Sequence, residues 1–302
     1  PRPLQADPDD DENAAAAWRG ALEDRDAGDA YALAERHGPD WTARIGRERT
    51  QALVDATLEL PAPDPRAALN LRHLRAQLLQ RANDRAGALA QMDRAVDDAP
   101  EALRAEALLA RARTGLFDEP PAQNVARLDR CLESARDTVV RAEAHRCRAV
   151  ALMRMSAWEP AREALEAAEA LYPEGHRGHH RVLLHRADLH HRRGEWDRAS
   201  ALYRTCIRRA GDDGDLMVRH LCRQNLVDVL AQRGDWNGAL AMGRACLATA
   251  ERLGDRHALV NLLWNLARPL LGAGDPEEAV RAMAAAAACW VREVRPLSLI
   301  HI

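Results

Sequence analysis

Apolar blocks alternate with polar turns along most of the chain, and alanines hold a fixed register within the blocks. Three segments align: Gly194-Glu195-Trp196-Asp197-Arg198-Ala199, Gly234-Asp235-Trp236-Asn237-Gly238-Ala239 and Gly274-Asp275-Pro276-Glu277-Glu278-Ala279, their alanines 40 residues apart. Ser156-Ala157-Trp158-Glu159-Pro160-Ala161 is a fourth copy 38 residues upstream, and Asn83-Asp84-Arg85-Ala86-Gly87-Ala88 is a fifth, followed by a less regular repeat around Pro120 and Pro121. Twelve residues before each marker alanine come Ala76, Ala149, Ala187, Val227 and Ala267; seven after it come Ala95, Ala168, Cys206, Cys246 and Ala286. Small residues at fixed places in successive helices let the helices approach closely, where a large side chain would wedge them apart.

The pattern predicts first helices over residues 66–82, 101–115, 138–155, 177–193, 215–233 and 256–273. Second helices follow over 85–98, 121–137, 157–171, 195–210, 235–252 and 275–292. At the turn between them Gly supplies a left-handed C-terminal cap, and the acidic residue suits the next helix's N-terminal dipole. Pro160 and Pro276 fall in a first turn, where a missing N–H costs little.

Composition supports an all-α chain. It is 47% hydrophobic but 4% aromatic, with Phe117 its single Phe, so Ala and Leu carry the apolar volume. No apolar run approaches the ~18 residues that span a bilayer, and no signal peptide opens the chain, which points to a cytoplasmic protein. The six cysteines (131, 147, 206, 222, 246 and 289) form no C-x-x-C pair and read as buried thiols in a reducing compartment. A net charge of −3 gives no global attraction to nucleic acid. All 43 basic residues are Arg, so P-loop, kinase and Schiff-base chemistry, which need Lys, cannot be housed here. There are four serines and no G-x-S-x-G, H-E-x-x-H or glycine-rich phosphate loop, and no cofactor is implied.

This helix–turn–helix repeat resembles the tetratricopeptide superfamily, in its long-helix branch, over roughly residues 66–292. The resemblance implies a right-handed superhelical array of about six to seven antiparallel hairpins that binds along a concave groove lined by first helices. Counting back from the marker alanines places Asn225 and Asn265 at equivalent positions, with Asn261 one turn before Asn265. Related arrays use such asparagines to grip a peptide backbone, since an amide offers both donor and acceptor. Arg146, Arg181, Asp188, Asp228, Trp264 and Arg268 are expected on or near the same surface. Trp158, Trp196 and Trp236 follow the turn of three repeats and are expected to wedge between hairpins.

Residues 14–61 are helical but off register. Ala21-Leu22 is followed by Asp26, Ala30, Leu33, Gly38 and Gly46, then Leu60-Pro61 and the first repeat, with Arg25 where a glycine is preferred. The order is similar to the arm that precedes the repeats in maltose-activator-like signal-transduction ATPases. That resemblance implies ATPase and DNA-binding modules outside these residues, and a sensor or interaction role for the array within a transcriptional regulator. The alternative is a stand-alone scaffold that docks extended peptides. The expected division is an acidic, disordered segment over 1–13, the arm over 14–61, the array over 62–292 and a non-native tail over 293–302. From Leu297 that tail reads as a translated sequencing-adapter end.

Six of the twelve histidines lie between residues 176 and 191: His176, His179, His180, His185, His190 and His191. His176 and His180 are spaced as a zinc pair would be, but no third ligand joins them, so the stretch reads as a solvated, Arg-rich helix and not as a metal site. The partners implied are a protein segment or small ligand in the groove and further domains of the same chain, with no direct nucleic-acid or membrane binding by this region.

Overall fold

The computed structural model describes residues 8–44, 46–253 and 256–293; side chains at 8–12, 37–44, 248–253, 256–258, 261 and 289–293 are not included. Most of the acidic segment 1–13 and the tail from residue 294 lie outside the described residues. The described residues form helices α1 (Pro8–Glu23), α2 (Ala27–Arg44), α3 (Arg47–Leu58), α4 (Pro65–Arg81), α5 (Arg85–Asp98), α6 (Glu101–Thr114), α7 (Pro121–Ser134) and α8 (Thr138–Arg154). Then come α9 (Trp158–Leu171), α10 (Gly178–Arg192), α11 (Trp196–Asp212), α12 (Leu216–Gln232), α13 (Trp236–Leu253), α14 (Arg256–Gly272) and α15 (Pro276–Glu293), with no strand among the described residues. The all-helical hairpin array expected from the alanine register is the fold observed. The chain divides into two compact units, Pro1–Pro160 and Ala161–Ile302.

The turns explain the register. Gly194, Gly234 and Gly274 take φ of 74°, 79° and 83°, the left-handed region open to a residue without Cβ. Asn83 and Ser156 fill that place in two other repeats, at φ 61° and 58°. The acidic residue that follows does more than face a dipole: Asp84, Asp235 and Asp275 each accept the backbone N–H three residues on, at 2.8, 2.9 and 3.0 Å. They are side-chain N-caps, worth about 1 kcal/mol each. The α1–α2 turn of the arm has the same construction, with Arg25 at φ 55° and Asp26 accepting from Asp29 N at 3.0 Å.

In the first unit, first helices touch in sequence: α2 packs on α4, α4 on α6 and α6 on α8. The arm is no separate appendage. Trp18, Tyr31, Val54 and Leu60 share one core with Leu71, Leu74 and Leu78 of α4, and Trp18 Nε1 donates to Thr57 Oγ1 at 2.8 Å. In the second unit α10 packs on α12 and α12 on α14, over a core that runs from Leu184 and Tyr203 to Ala279. Cys206 and Cys246 are fully buried in their small-residue slots. Trp236 packs against Gly272 at the end of the next first helix, a wedge between hairpins.

Candidate ligand-binding face

The stripe of each first helix that faces away from its hairpin partner is set by the register. In the second unit the 40-residue repeat makes His185, Asn225 and Asn265 equivalent, and likewise Asp188, Asp228 and Arg268. Because α12 packs between α10 and α14, these rows form one face.

Its centre is a carboxylate. Asp188 Oδ1 accepts from Asn225 Nδ2 at 2.8 Å and from Tyr203 Oη at 2.5 Å, while Oδ2 lies 3.1 Å from His185 Nδ1. Burial works to raise the Asp188 pKa, but the bonds and charge of His185, with the bonds from Tyr203 and Asn225, outweigh it and hold the carboxyl below its usual range. Burial and the neighbouring carboxylate push the Tyr203 hydroxyl the other way, so it remains a donor. One repeat on, His191 Nε2 meets Asp228 Oδ2 at 3.0 Å, and its ring packs edge-on to Trp196 and Tyr203. That bond from His191, opposed by burial and aided by the charges of His191 and Arg268, lowers the Asp228 pKa.

The face opens toward α14. Trp264 is 60% exposed, and Asn265 and Arg268 are exposed beside it. Pro269 lies inside α14 and has no N–H, so the Asn265 carbonyl loses its regular helical donor. On α12 the row continues with Leu221 and Met217, the latter 61% exposed.

Of the residues expected in the groove, Asp188, Asn225, Asp228 and Arg268 are thus brought together, with Trp264 and Asn265 next to them. Arg181 is exposed on α10, four residues before His185. The side chain of Asn261 lies outside the described residues. Arg146 belongs to the first unit and is buried, its guanidinium 2.7 Å from Glu143 on its own helix. Counting 38 residues on, its equivalent is Leu184, a core position, which is why it points inward. His185, His191 and Tyr203 complete the network; the i, i+3 step from His185 to Asp188 is the local signal for His185, whereas His191 and Tyr203 reach their carboxylates only through helix packing.

The histidine stretch is less solvated than its composition implies. His180 is buried between Asp213 (2.9 Å) and Asp215 (3.4 Å), His190 meets Glu195 at 2.8 Å, and His176 stacks on Tyr172. Its histidines pin loops and neighbouring helices. Among the described residues no group of three or more His, Cys, Asp or Glu is placed to hold a metal ion, and no helix is long and apolar enough to cross a membrane.

No curated protein matches the chain in sequence. Solved structures do share its fold. A tetratricopeptide repeat protein from Parabacteroides merdae is 15% identical, with 87% of this chain and 94% of that one covered and a TM-score of 0.59. A Rap protein complexed with competence and sporulation factor is 12% identical, with 94% and 88% covered and a TM-score of 0.64. A Signal Transduction ATPase with Numerous Domains from Pyrococcus horikoshii, bearing a tetratricopeptide repeat sensor, is 13% identical; 93% of this chain and 50% of that one are covered, at a TM-score of 0.54. The tetratricopeptide repeat family model matches residues 221–258, from within α12 to the first residues of α14. By fold, then, the chain is a tetratricopeptide-type helical array.

Proposed function

We propose that this protein is a binding module and not a catalyst. The α10–α12–α14 face takes up a protein segment or small ligand, and the array serves as sensor or interaction region of a larger signalling ATPase or transcriptional regulator. The observation that carries the binding role is the row Trp264, Asn265 and Arg268, exposed on a first helix beside a face already cross-braced by Asp188 and Asn225. A braced face with an open edge meets a ligand at low ordering cost. An exposed indole, a guanidinium and a free amide supply apolar area, charge and backbone-type hydrogen bonding. The wider role is supported by the order of residues in the arm and by likeness to a signalling ATPase that carries a repeat sensor. This region contributes no nucleic-acid contact of its own, consistent with its net charge of −3.

Selection of extended peptides from a displayed library tests the face: binders to the wild type should be lost on Trp264→Ala/Arg268→Ala, and binders that persist unchanged would remove it. Long-read sequencing of the complete reading frame tests the wider role, with an ATPase upstream and a DNA-binding domain downstream expected. A start and a stop codon closely bracketing these residues would leave the stand-alone adaptor.

A further inference from the structure

The arm helix α2 and the first helix α4, both in the first unit, bound a cleft of about 310 Å³. That is at the lower end of the roughly 300–1,000 Å³ of small-ligand sites. Leu71 and Leu74 give it an apolar floor, and Glu35, Asn70, His73 and Gln77 stand along its wall.

Among the described residues of this lining, Glu35 carries the formal charge. Asn70 Nδ2 donates to its Oε1 at 2.8 Å, which fixes the carboxylate and leaves its second oxygen and the Asn70 carbonyl oxygen as acceptors. At the other end, Gln77 Nε2 lies 3.0 Å from His73 Nε2. An amide nitrogen only donates, so that ring nitrogen accepts, and the proton of the neutral ring sits on Nδ1. Burial, and then the charge of Arg113, lower the His73 pKa and keep the ring neutral. Its Nδ1 is buried with no hydrogen-bond partner among the described residues.

The cleft is therefore graded: acceptors and negative charge at one end, an apolar middle, and a neutral imidazole paired with Gln77 at the other. Asn70 to Gln77 spans about 10 Å of helix, room for an extended basic side chain. We propose that this cleft binds a guanidinium or alkylammonium group on Glu35 and Asn70, with its alkyl chain on Leu71 and Leu74. The arm then forms one wall of a cation site, independent of the α10–α12–α14 face.

Isothermal titration of the full chain with Nα-acetyl-arginine methylamide, agmatine and the citrulline counterpart tests this. Both cations should bind saturably, and the neutral citrulline compound should bind about tenfold or more weakly, the difference between a charge-assisted and a neutral hydrogen bond. Glu35→Gln keeps an oxygen for Asn70 and removes the charge; it should cost the cations a similar factor of about ten without moving the thermal melt. Tighter binding of the capped arginine than of agmatine assigns the site to a peptide's basic residue, and the reverse assigns it to a free amine. Equal binding of arginine and citrulline compounds, unchanged affinity in Glu35→Gln, or no saturable heat below about 10 mM ligand overturns the proposal.

Discussion

Asn225 Nδ2 donates to Asp188 Oδ1 at 2.8 Å across 37 residues of sequence, tying the first helix of one repeat to the first helix of the next. The donor half of an amide placed to grip a ligand is therefore spent inside the protein, and its carbonyl oxygen remains for a partner. Asn225→Ala should destabilise the fold by about 1–2 kcal/mol, because it strips a partly buried carboxylate of one donor while Tyr203 and His185 remain. Urea unfolding followed by circular dichroism measures it, and a change below about 0.3 kcal/mol would mean that the bond is not formed in solution.

Asp188 and Asp228 are both held below the usual carboxyl range. A depressed folded-state pKa stabilises fully above the unfolded value, near 3.9, and the contribution disappears as pH falls through the lower folded value. The stability gap between wild type and Asp228→Asn should accordingly be widest near neutrality and shrink below about pH 4. Urea midpoints taken at successive pH values read it, and a gap that stays constant down to acid pH would show that the Asp228 carboxyl gains nothing from His191.

Arg25 occupies a left-handed turn at φ 55°, and Asn83 a similar one at φ 61°. That conformation costs a residue with Cβ about 1–2 kcal/mol, less for Asn, whose side chain bonds locally. Glycine recovers this cost, less the freedom it brings to the unfolded chain. Arg25→Gly should raise stability by about 0.5–1 kcal/mol, and Asn83→Gly should be close to neutral. A loss of stability in Arg25→Gly would place the α1–α2 turn in another conformation.

The repeat was legible because its alanines, capping glycines and acidic N-caps sit at local, fixed intervals, and those intervals set helix bounds to within a few residues. The arm was less legible. Its left-handed position carries Arg25 and not glycine, and the burial of Trp18 and Tyr31 against α4 depends on contacts far apart in sequence. Site residues depended on register to the single residue. Asp188 and Asp228 fall in line from the 40-residue spacing, whereas the 38-residue step turns Arg146 into the core position of Leu184. Tyr203 carries no such mark because it lies on a second helix, and only the packing of α11 on α10 and α12 brings its hydroxyl to Asp188.

Burial pushes the Cys131 thiol up to about 12 and the Cys246 thiol up to about 11, while a hydrogen bond with the Cys206 side chain, and then burial, raise Cys222. Thiolate is the reactive species, so these groups are both masked and nearly unionised at neutral pH. In a Cys289→Ser background, Ellman's reagent should find almost no reactive thiol in native buffer and all five in urea. A rapid native phase would show that one of the two units opens locally.

Gly272 ends α14 where Trp236 packs, and a Cβ built there would lie 2.5 Å from the indole ring. Two effects oppose each other in Gly272→Ala. Helix propensity favours alanine by up to about 1 kcal/mol, less at a helix end, while overpacking a fixed ring costs about 1–3 kcal/mol. The clash should win, with net destabilisation of about 1–2 kcal/mol. In a Trp236→Leu background the ring is gone and the same change should become neutral or stabilising, so the double-mutant cycle yields a coupling of at least about 1 kcal/mol. Additive effects would show that the indole does not rest on the next repeat, and Trp236 would lose its role as the wedge that sets the spacing of the hairpins.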